Sequence, residues 1–244
     1  MNYLQTQALV LKTWPLKEYD LIVALLSPEL GKIRAVVKGV KRSTAKFRGY
    51  FEMPYHLNVQ LYSSRSELKT ISQTESLNPF LEIKKDIKKL FKAFVILEAC
   101  LYGSSEGSES KPVFDLAIGV LNYLNQTATD NFVLGAFALK LLKAEGLTPE
   151  IKQCIYCQNP EIQAISVSEF ATVCKNCAPA NAKFLSKNTL TLFRLVLSNQ
   201  INLAFSFAEK IPQNELKLSE ELALDMLEHH FEHRLNSRAM ATSI

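Results

Sequence analysis

No run in this sequence is both long enough and apolar enough to span a bilayer; Glu98 and Lys140 interrupt the best candidates. Nothing near the start resembles a secretory leader, because the one apolar run there, Ala8 to Leu11, ends at Lys12. The chain is therefore expected to stay in the cytosol, where thiols remain reduced, and its five cysteines are not expected to form a disulfide framework. There is no phosphate-binding glycine loop and no G-x-S-x-G elbow, so ATP hydrolysis and serine hydrolysis have no visible machinery. A zinc nucleobase deaminase is excluded on simpler grounds. Val173, not proline, precedes Cys174, and the only upstream histidine, His56, is followed by Leu57 and Asn58 rather than by a spaced glutamate. No internal repeat is present.

Acidic residues are also missing from Gly31 to Phe51, a stretch that carries Lys32, Arg34, Lys38, Lys41, Arg42, Lys46 and Arg48. Its first half alternates, with Lys32, Arg34 and Val36 on one side and Ile33, Ala35 and Val37 on the other, which predicts a strand with one apolar and one basic face. Gly39 ends the strand, and a basic loop follows with Phe47, Tyr50 and Phe51 among its cations. Such a combination suits a polyanion with stackable bases; it also fits a solvated edge strand and a surface loop. The distribution of charge favours the first reading. Residues 1–80 hold 11 Lys plus Arg against 6 Asp plus Glu, while the remainder holds 17 against 18, so the net charge of +4 belongs to the first third.

The strand signals run in series: Ala8 to Thr13, Leu21 to Ser27, the basic strand, Tyr55 to Tyr62, and Leu68 to Thr74. Five short strands with a long basic loop between the third and fourth predict a small barrel of the five-stranded nucleic-acid-binding OB type over residues 1–79. Near Pro79 the period changes. Ile83, Ile87, Leu90, Phe91, Phe94, Leu97 and Leu101 fall at helical spacing, opposite a face of Lys84, Lys85, Lys88, Lys89 and Lys92 that reads as solvated or as a docking surface for an acidic peptide. Gly103 to Ser110 reads as a flexible loop. Further helices are expected at about 113–125, at about 130–145 with Thr129 as N-cap, from Leu185 with Ser186 as N-cap, and at about 219–237. The fold class is thus α+β, a barrel followed by a mainly helical domain over 80–244.

Within that domain Cys154-Ile-Tyr-Cys157 and Cys174-Lys-Asn-Cys177 form two C-x-x-C pairs separated by sixteen residues. Each pair can place two thiolates on one cation, and the spacer lets the second pair complete a tetrahedron, so a zinc finger over about 150–182 is expected, with one structural zinc ion. Four thiolates leave no open position for substrate, which argues against catalysis there. Cys100 lies in an apolar helix and reads as core. His229-His-Phe-Glu-His233 fits an H-x-x-E-H metallopeptidase pattern with His229, Glu232 and His233 as the working residues, but no Asp or Glu follows His233 to supply the further ligand. No catalytic residue is assigned and a non-enzyme is expected.

Three segments stand out together: Ala8-Leu-Val-Leu-Lys with Glu18-Tyr-Asp-Leu-Ile and Gly31-Lys-Ile-Arg-Ala-Val-Val-Lys-Gly-Val-Lys-Arg-Ser43; Leu141-Leu-Lys-Ala-Glu-Gly-Leu-Thr-Pro149 ahead of the first cysteine pair; and Leu227-Glu-His-His-Phe-Glu-His-Arg-Leu-Asn-Ser-Arg238. Taken together they resemble the RecO family of bacterial recombination mediators. They span nearly the whole chain in the family's order. Gln158 stands where the family often has glycine after the first pair, and Phe170-Ala-Thr172 where it often has Gly-Gly before the second. The resemblance implies an OB barrel, a helical domain and an inserted finger. It also implies binding of single- and double-stranded DNA without sequence preference, annealing of complementary strands, and assistance to RecA loading. RecR and the acidic C-terminal tail of single-strand-binding protein are the implied partners, at the nucleoid of a bacterial cell, and a monomer is expected. The seven cations of Gly31 to Phe51 are the DNA-contact candidates. A zinc-stabilised scaffold for acidic proteins is the alternative from another class.

Overall fold

The computed structural model describes residues 3–63, 68–128 and 131–242. The chain divides into two compact units, residues 1–128 with 235–244 and residues 129–234. Strand gives way to helix at about residue 79, but the units divide elsewhere.

In the first unit, strands β1 (Tyr3–Pro15), β2 (Leu21–Ser27), β3 (Gly31–Val37), β4 (His56–Ser63) and β5 (Lys69–Asn78) close into a barrel in the order β1-β2-β3-β5-β4. Every neighbouring pair is antiparallel except β3 with β5, which run parallel through Ala35–Lys69 and Val36–Thr70. This is the five-stranded OB barrel. The alternation anticipated for β3 holds: Ile33, Ala35 and Val37 are buried in the barrel core, while Lys32 and Val36 are part-exposed and Arg34 is exposed. β1 and β2 read as continuous apolar runs because parts of both their faces are covered, the outer one by helices α2 (Ile87–Gly103) and α3 (Lys111–Gln126). A bulge between Val10 and Lys12 shifts the register of β1.

The single helix expected from Ile83 to Leu101 is broken. A short α1 (Leu81–Lys85) ends at extended Asp86, whose carboxylate accepts the N–H groups of Lys88 and Lys89 and caps α2. The lysine face is divided with it. Lys84 Nζ lies 4.6 Å from the Tyr55 ring centroid, Lys85 pairs with Glu82, and Lys89 Nζ donates to Thr127 O. Cys100 is buried, as expected. The segment Gly103–Ser110, expected to be a free loop, is docked on the barrel: Lys32 N–H donates to Ser105 O at 3.0 Å and Ser110 N–H donates to Pro28 O at 3.0 Å. A final short helix, α8 (Asn236–Thr242), packs on α2. Burial raises the Glu98 pKa, but hydrogen bonds from Ser237 and Asn236 outweigh it and hold the carboxyl below its ordinary range.

In the second unit α4 (Val133–Ala144) packs along α7 (Gln213–Phe231). The proposed Thr129 cap and the helix start near Asp130 lie outside the described residues. The N-terminus of α4 is instead held by Glu220, whose carboxylate accepts the N–H groups of Leu134 and Gly135. Ser186 caps α5 (Lys187–Leu197) as expected, accepting from Thr189 N–H at 3.0 Å. The helix α6 (Ile201–Ala208) and a three-stranded sheet, β6 (Ala164–Ser166), β7 (Ala171–Val173) and β8 (Lys183–Phe184) in the order β7-β6-β8, carried no clear period in the sequence.

Candidate nucleic-acid interface and metal centre

The seven cations do not form one surface. Lys32 is half-buried, and its Nζ donates to Leu101 O at 2.9 Å, tying β3 to the last turn of α2. Burial lowers its pKa, against the opposing pull of Glu106. Arg34 is paired with Glu106 at 3.3 Å, both side chains being largely exposed, so the pair is weak. The remaining five, Lys38, Lys41, Arg42, Lys46 and Arg48, are all exposed on the segment linking β3 to β4. That segment is a succession of turns, with Arg42 N–H donating to Gly39 O, Ala45 N–H to Arg42 O, Arg48 N–H to Ala45 O and Glu52 N–H to Gly49 O. Phe47 and Tyr50, which the sequence leaves open between base stacking and barrel core, pack against the barrel core: Phe47 on Tyr50 at 6.1 Å and Tyr50 on Tyr55 at 5.4 Å between centroids. They seat the loop and leave its cations outside.

Two contacts fix this loop to the turn between β1 and β2. Gly39 N–H donates to Asp20 Oδ1 at 2.7 Å, and Lys41 N–H donates to Tyr19 O at 3.1 Å. The fixed turn brings aromatic residues to the basic surface that sequence reasoning passed over. Arg42 lies 5.4 Å from the ring centroid of exposed Tyr19, and Lys12 lies 5.5 Å from that of Trp14. The signal was present in the lone tryptophan, followed by Pro15 and flanked by Lys12 and Lys17. A groove of about 540 Å³ adjoins the loop, with Leu21, Phe51 and Phe94 in its lining beside Lys41 and Arg48.

In the second unit all four expected cysteines meet. Their Sγ atoms lie within 4.8 Å of one another, and Cys157 and Cys174 are 3.6 Å apart. A tetrahedral ion at about 2.3 Å from each sulfur needs sulfurs about 3.8 Å apart, so the set fits a zinc-sized cation. Each pair closes on a turn. Gln158 N–H donates to Cys154 O, and Ala178 N–H donates to Cys174 O. Burial opposes ionisation of Cys154, but backbone hydrogen bonds from Cys174, Cys157 and Tyr156 outweigh it and bring that thiol down to about 6. Hydrogen bonds with Cys157 and Cys174 push Cys177 up to about 12. Lys152 and Lys175 are exposed beside the cluster. The two departures from the family's glycines are made in left-handed backbone, Gln158 at φ 61° and Phe170 at φ 49°. A left-handed residue with a Cβ costs about 1–2 kcal/mol. Gln158→Gly is therefore expected to raise the thermal midpoint of the metal-loaded protein slightly; a lowered midpoint would show that the Gln158 side chain holds the turn.

The H-x-x-E-H pattern does not survive as a metal site. α7 ends at Phe231, and Glu232 takes left-handed backbone at φ 51°, so His233 lies beyond the helix and the i, i+4 relation to His229 is lost. His229 packs on Phe170 at 5.7 Å between centroids, and His230 approaches Glu145 at 4.0 Å. Among the described residues the four cysteines are the one group of three or more His, Cys, Asp or Glu placed to hold a metal ion.

Comparison with known proteins places this architecture. A family model described as recombination protein O N terminal matches residues 1–80, and one described as recombination protein O C terminal matches residues 84–239. The DNA repair protein RecO of Cutibacterium acnes is 34% identical over 200 residues, covering 78% of this chain and 80% of its own. The DNA repair protein RecO of Dehalococcoides mccartyi is 27% identical over 225 residues, covering 90% and 87%. That of Bacillus pumilus is 27% identical over 175 residues, covering 71% and 68%.

Proposed function

Since this chain belongs to the recombination protein O family, whose members act in DNA repair and recombination, we propose that it is a mediator that binds single- and double-stranded DNA without sequence preference and anneals complementary strands. The observation that carries this reading is the group of five exposed cations, Lys38, Lys41, Arg42, Lys46 and Arg48, on one turn-built segment of the OB barrel in a stretch without a single acidic residue from Gly31 to Phe51. Such a group neutralises phosphates and releases their counterions, and it carries no information about base sequence. Screening by the same cations lets two like-charged strands approach, which gives annealing its physical basis. Lys32 and Arg34, engaged with Leu101 O and Glu106, contribute less.

The four thiolates hold zinc in this reading. A closed set of four sulfurs provides folding energy and no reactive position. The mediator works on strands coated by single-strand-binding protein, assisted by that protein's acidic tail and by RecR, and helps to load RecA in the bacterial cytoplasm. Family membership supports these steps.

Charge reversal at Lys41 and Arg42 tests the DNA surface. Five phosphate contacts give a log–log dependence of affinity on salt with a slope of about −4, and the double variant should flatten that slope by about two units. Affinity should fall alike for all sequences. An unchanged slope in an anisotropy titration would remove the loop from the interface. Annealing of coated strands, compared for full-length and tailless single-strand-binding protein, tests the partnership: equal rates would undo it and leave DNA binding in place.

A further inference from the structure

We propose that the open end of the outer barrel face, with Trp14 and Tyr19 as its stacking residues, is a base-binding surface for single-stranded DNA beside the phosphate-binding loop. The proposal rests on the reading of that loop given above.

Register places the surface. On the outer face of β1, β2 and β3, cross-strand rows run Leu9–Leu26–Lys32, then Lys12–Ala24–Arg34, then Trp14–Ile22–Val36. Toward the first row this face is covered: Leu9 and Leu26 are fully buried, helices pack on β1 and β2, and Lys32 is spent on Leu101 O. The third row is different. Trp14, Ile22 and Val36 are each only partly buried, forming an apolar strip that emerges at the β1–β2 turn beside exposed Leu16 and Tyr19. Cations border the strip on its two flanking strands: Lys12 on β1, Arg34 on β3, and Lys38 just beyond β3. An apolar strip edged by cations is complementary to a strand whose bases are apolar in face and whose backbone is anionic.

Each ring has a cation beside it, Lys12 at 5.5 Å from the Trp14 centroid and Arg42 at 5.4 Å from that of Tyr19, so a group that binds phosphate stands next to each ring that would take a base. The Asp20–Gly39 and Tyr19–Lys41 hydrogen bonds join the aromatic turn to the start of the basic loop, so the stacking and phosphate-binding parts are pre-organised as one edge. The β1–β2 loop is one of the places at which OB barrels bind oligonucleotides. Base faces are sealed within a duplex, so this surface selects single strands; every base has a π-face, so it does so without regard to sequence.

Trp14 is the only tryptophan in the chain, and its emission therefore reports on the surface directly. A dye-labelled oligothymidylate is titrated with the full-length protein, and DNA anisotropy and tryptophan emission are recorded together. Emission should be quenched in step with the rise in anisotropy. Trp14→Ala should weaken oligothymidylate binding roughly tenfold, the size of one lost base–aromatic stack, with a much smaller loss on duplex and an unaltered salt slope. Trp14→Phe should restore most of the loss. Tyr19→Ala, at an exposed turn position, provides a second variant should Trp14→Ala not fold. A rise in anisotropy with unchanged emission, and Trp14→Ala and Tyr19→Ala binding as tightly as the parent, would overturn the proposal while leaving the basic loop intact. No rise in anisotropy with the parent protein would overturn both. Quenching by an acidic peptide but not by oligothymidylate would make the surface a peptide site and overturn the assignment to DNA.

Discussion

Chelation of the purified protein should release one equivalent of zinc per chain and open residues 150–184 to protease, while oligonucleotide affinity changes by less than about twofold. The small domain has little else to hold it. Its strands β6, β7 and β8 are three, three and two residues long, and the buried cluster beneath them consists of Cys154, Ala164, Val173 and Cys174, with Cys177 and Ala182 packed alongside. Half of that core is cysteine from the set placed to hold a metal ion. A cluster of this size does not offset the chain entropy of some thirty residues. Four-thiolate zinc sites contribute on the order of 10 kcal/mol at neutral pH. Cys174→Ser should have the same effect as chelation, and the loss should deepen as pH falls, because protons compete with the metal for the thiolates. The proposed DNA surface should be spared, since it rests on a barrel core of its own. Undiminished protease resistance of the chelated protein would show that the finger folds without its ion.

Gly31→Ala should destabilise the barrel unit by about 3 kcal/mol, lowering its thermal midpoint by roughly 10 °C. Two effects add. Gly31 has φ +62°, a backbone conformation that costs an L-residue about 1–2 kcal/mol. A Cβ there would also lie 2.5 Å from Ser105 O, and closer still to Ser108 O. Both obstacles are backbone of the docked 103–110 segment, so neither can rotate away; relief requires lifting the segment and breaking the Lys32–Ser105 and Ser110–Pro28 hydrogen bonds. Gly107→Ala is the control. It shares the positive φ, +74°, but a Cβ there meets nothing within 4 Å, so only the smaller backbone strain applies. Equal midpoints for the two variants would show that the segment is not seated as described.

Where a short-range signal decides the structure, the sequence was readable. The period-two alternation of β3, the Leu21–Ser27 strand, the Ser186 cap and the cysteine spacing all became what their local chemistry predicts. Three of the differences share one cause, tertiary partners that leave no local trace. Gly103–Ser110 has the composition of a free loop and is docked because β3 and Pro28 offer backbone partners. Lys32 counts as a cation in the sequence and functions as a clamp on Leu101 O. Phe47 and Tyr50 were ambiguous between stacking and core until the barrel's end was built. Asp86 was legible in principle: an aspartate ahead of a lysine pair is a competent N-cap, and the continuing apolar stripe masked it. The H-x-x-E-H match failed through one residue in left-handed backbone, which no five-letter pattern encodes.

The first unit is discontinuous in the chain, and this sets an order on its completion during synthesis. Glu98 is made early, but the N–H groups that satisfy it belong to Asn236 and Ser237, and α2 receives α8 only from the same late segment. At translation rates of about 5–20 residues per second, the intervening chain takes on the order of ten seconds to emerge. For that interval the nascent barrel has its strands and its basic loop but not its last helix. The α8-facing side of α2 stands open then, with a carboxylate at its edge. The closing helix is therefore a latch set from beyond the second unit, which must be fully synthesised before the first is finished.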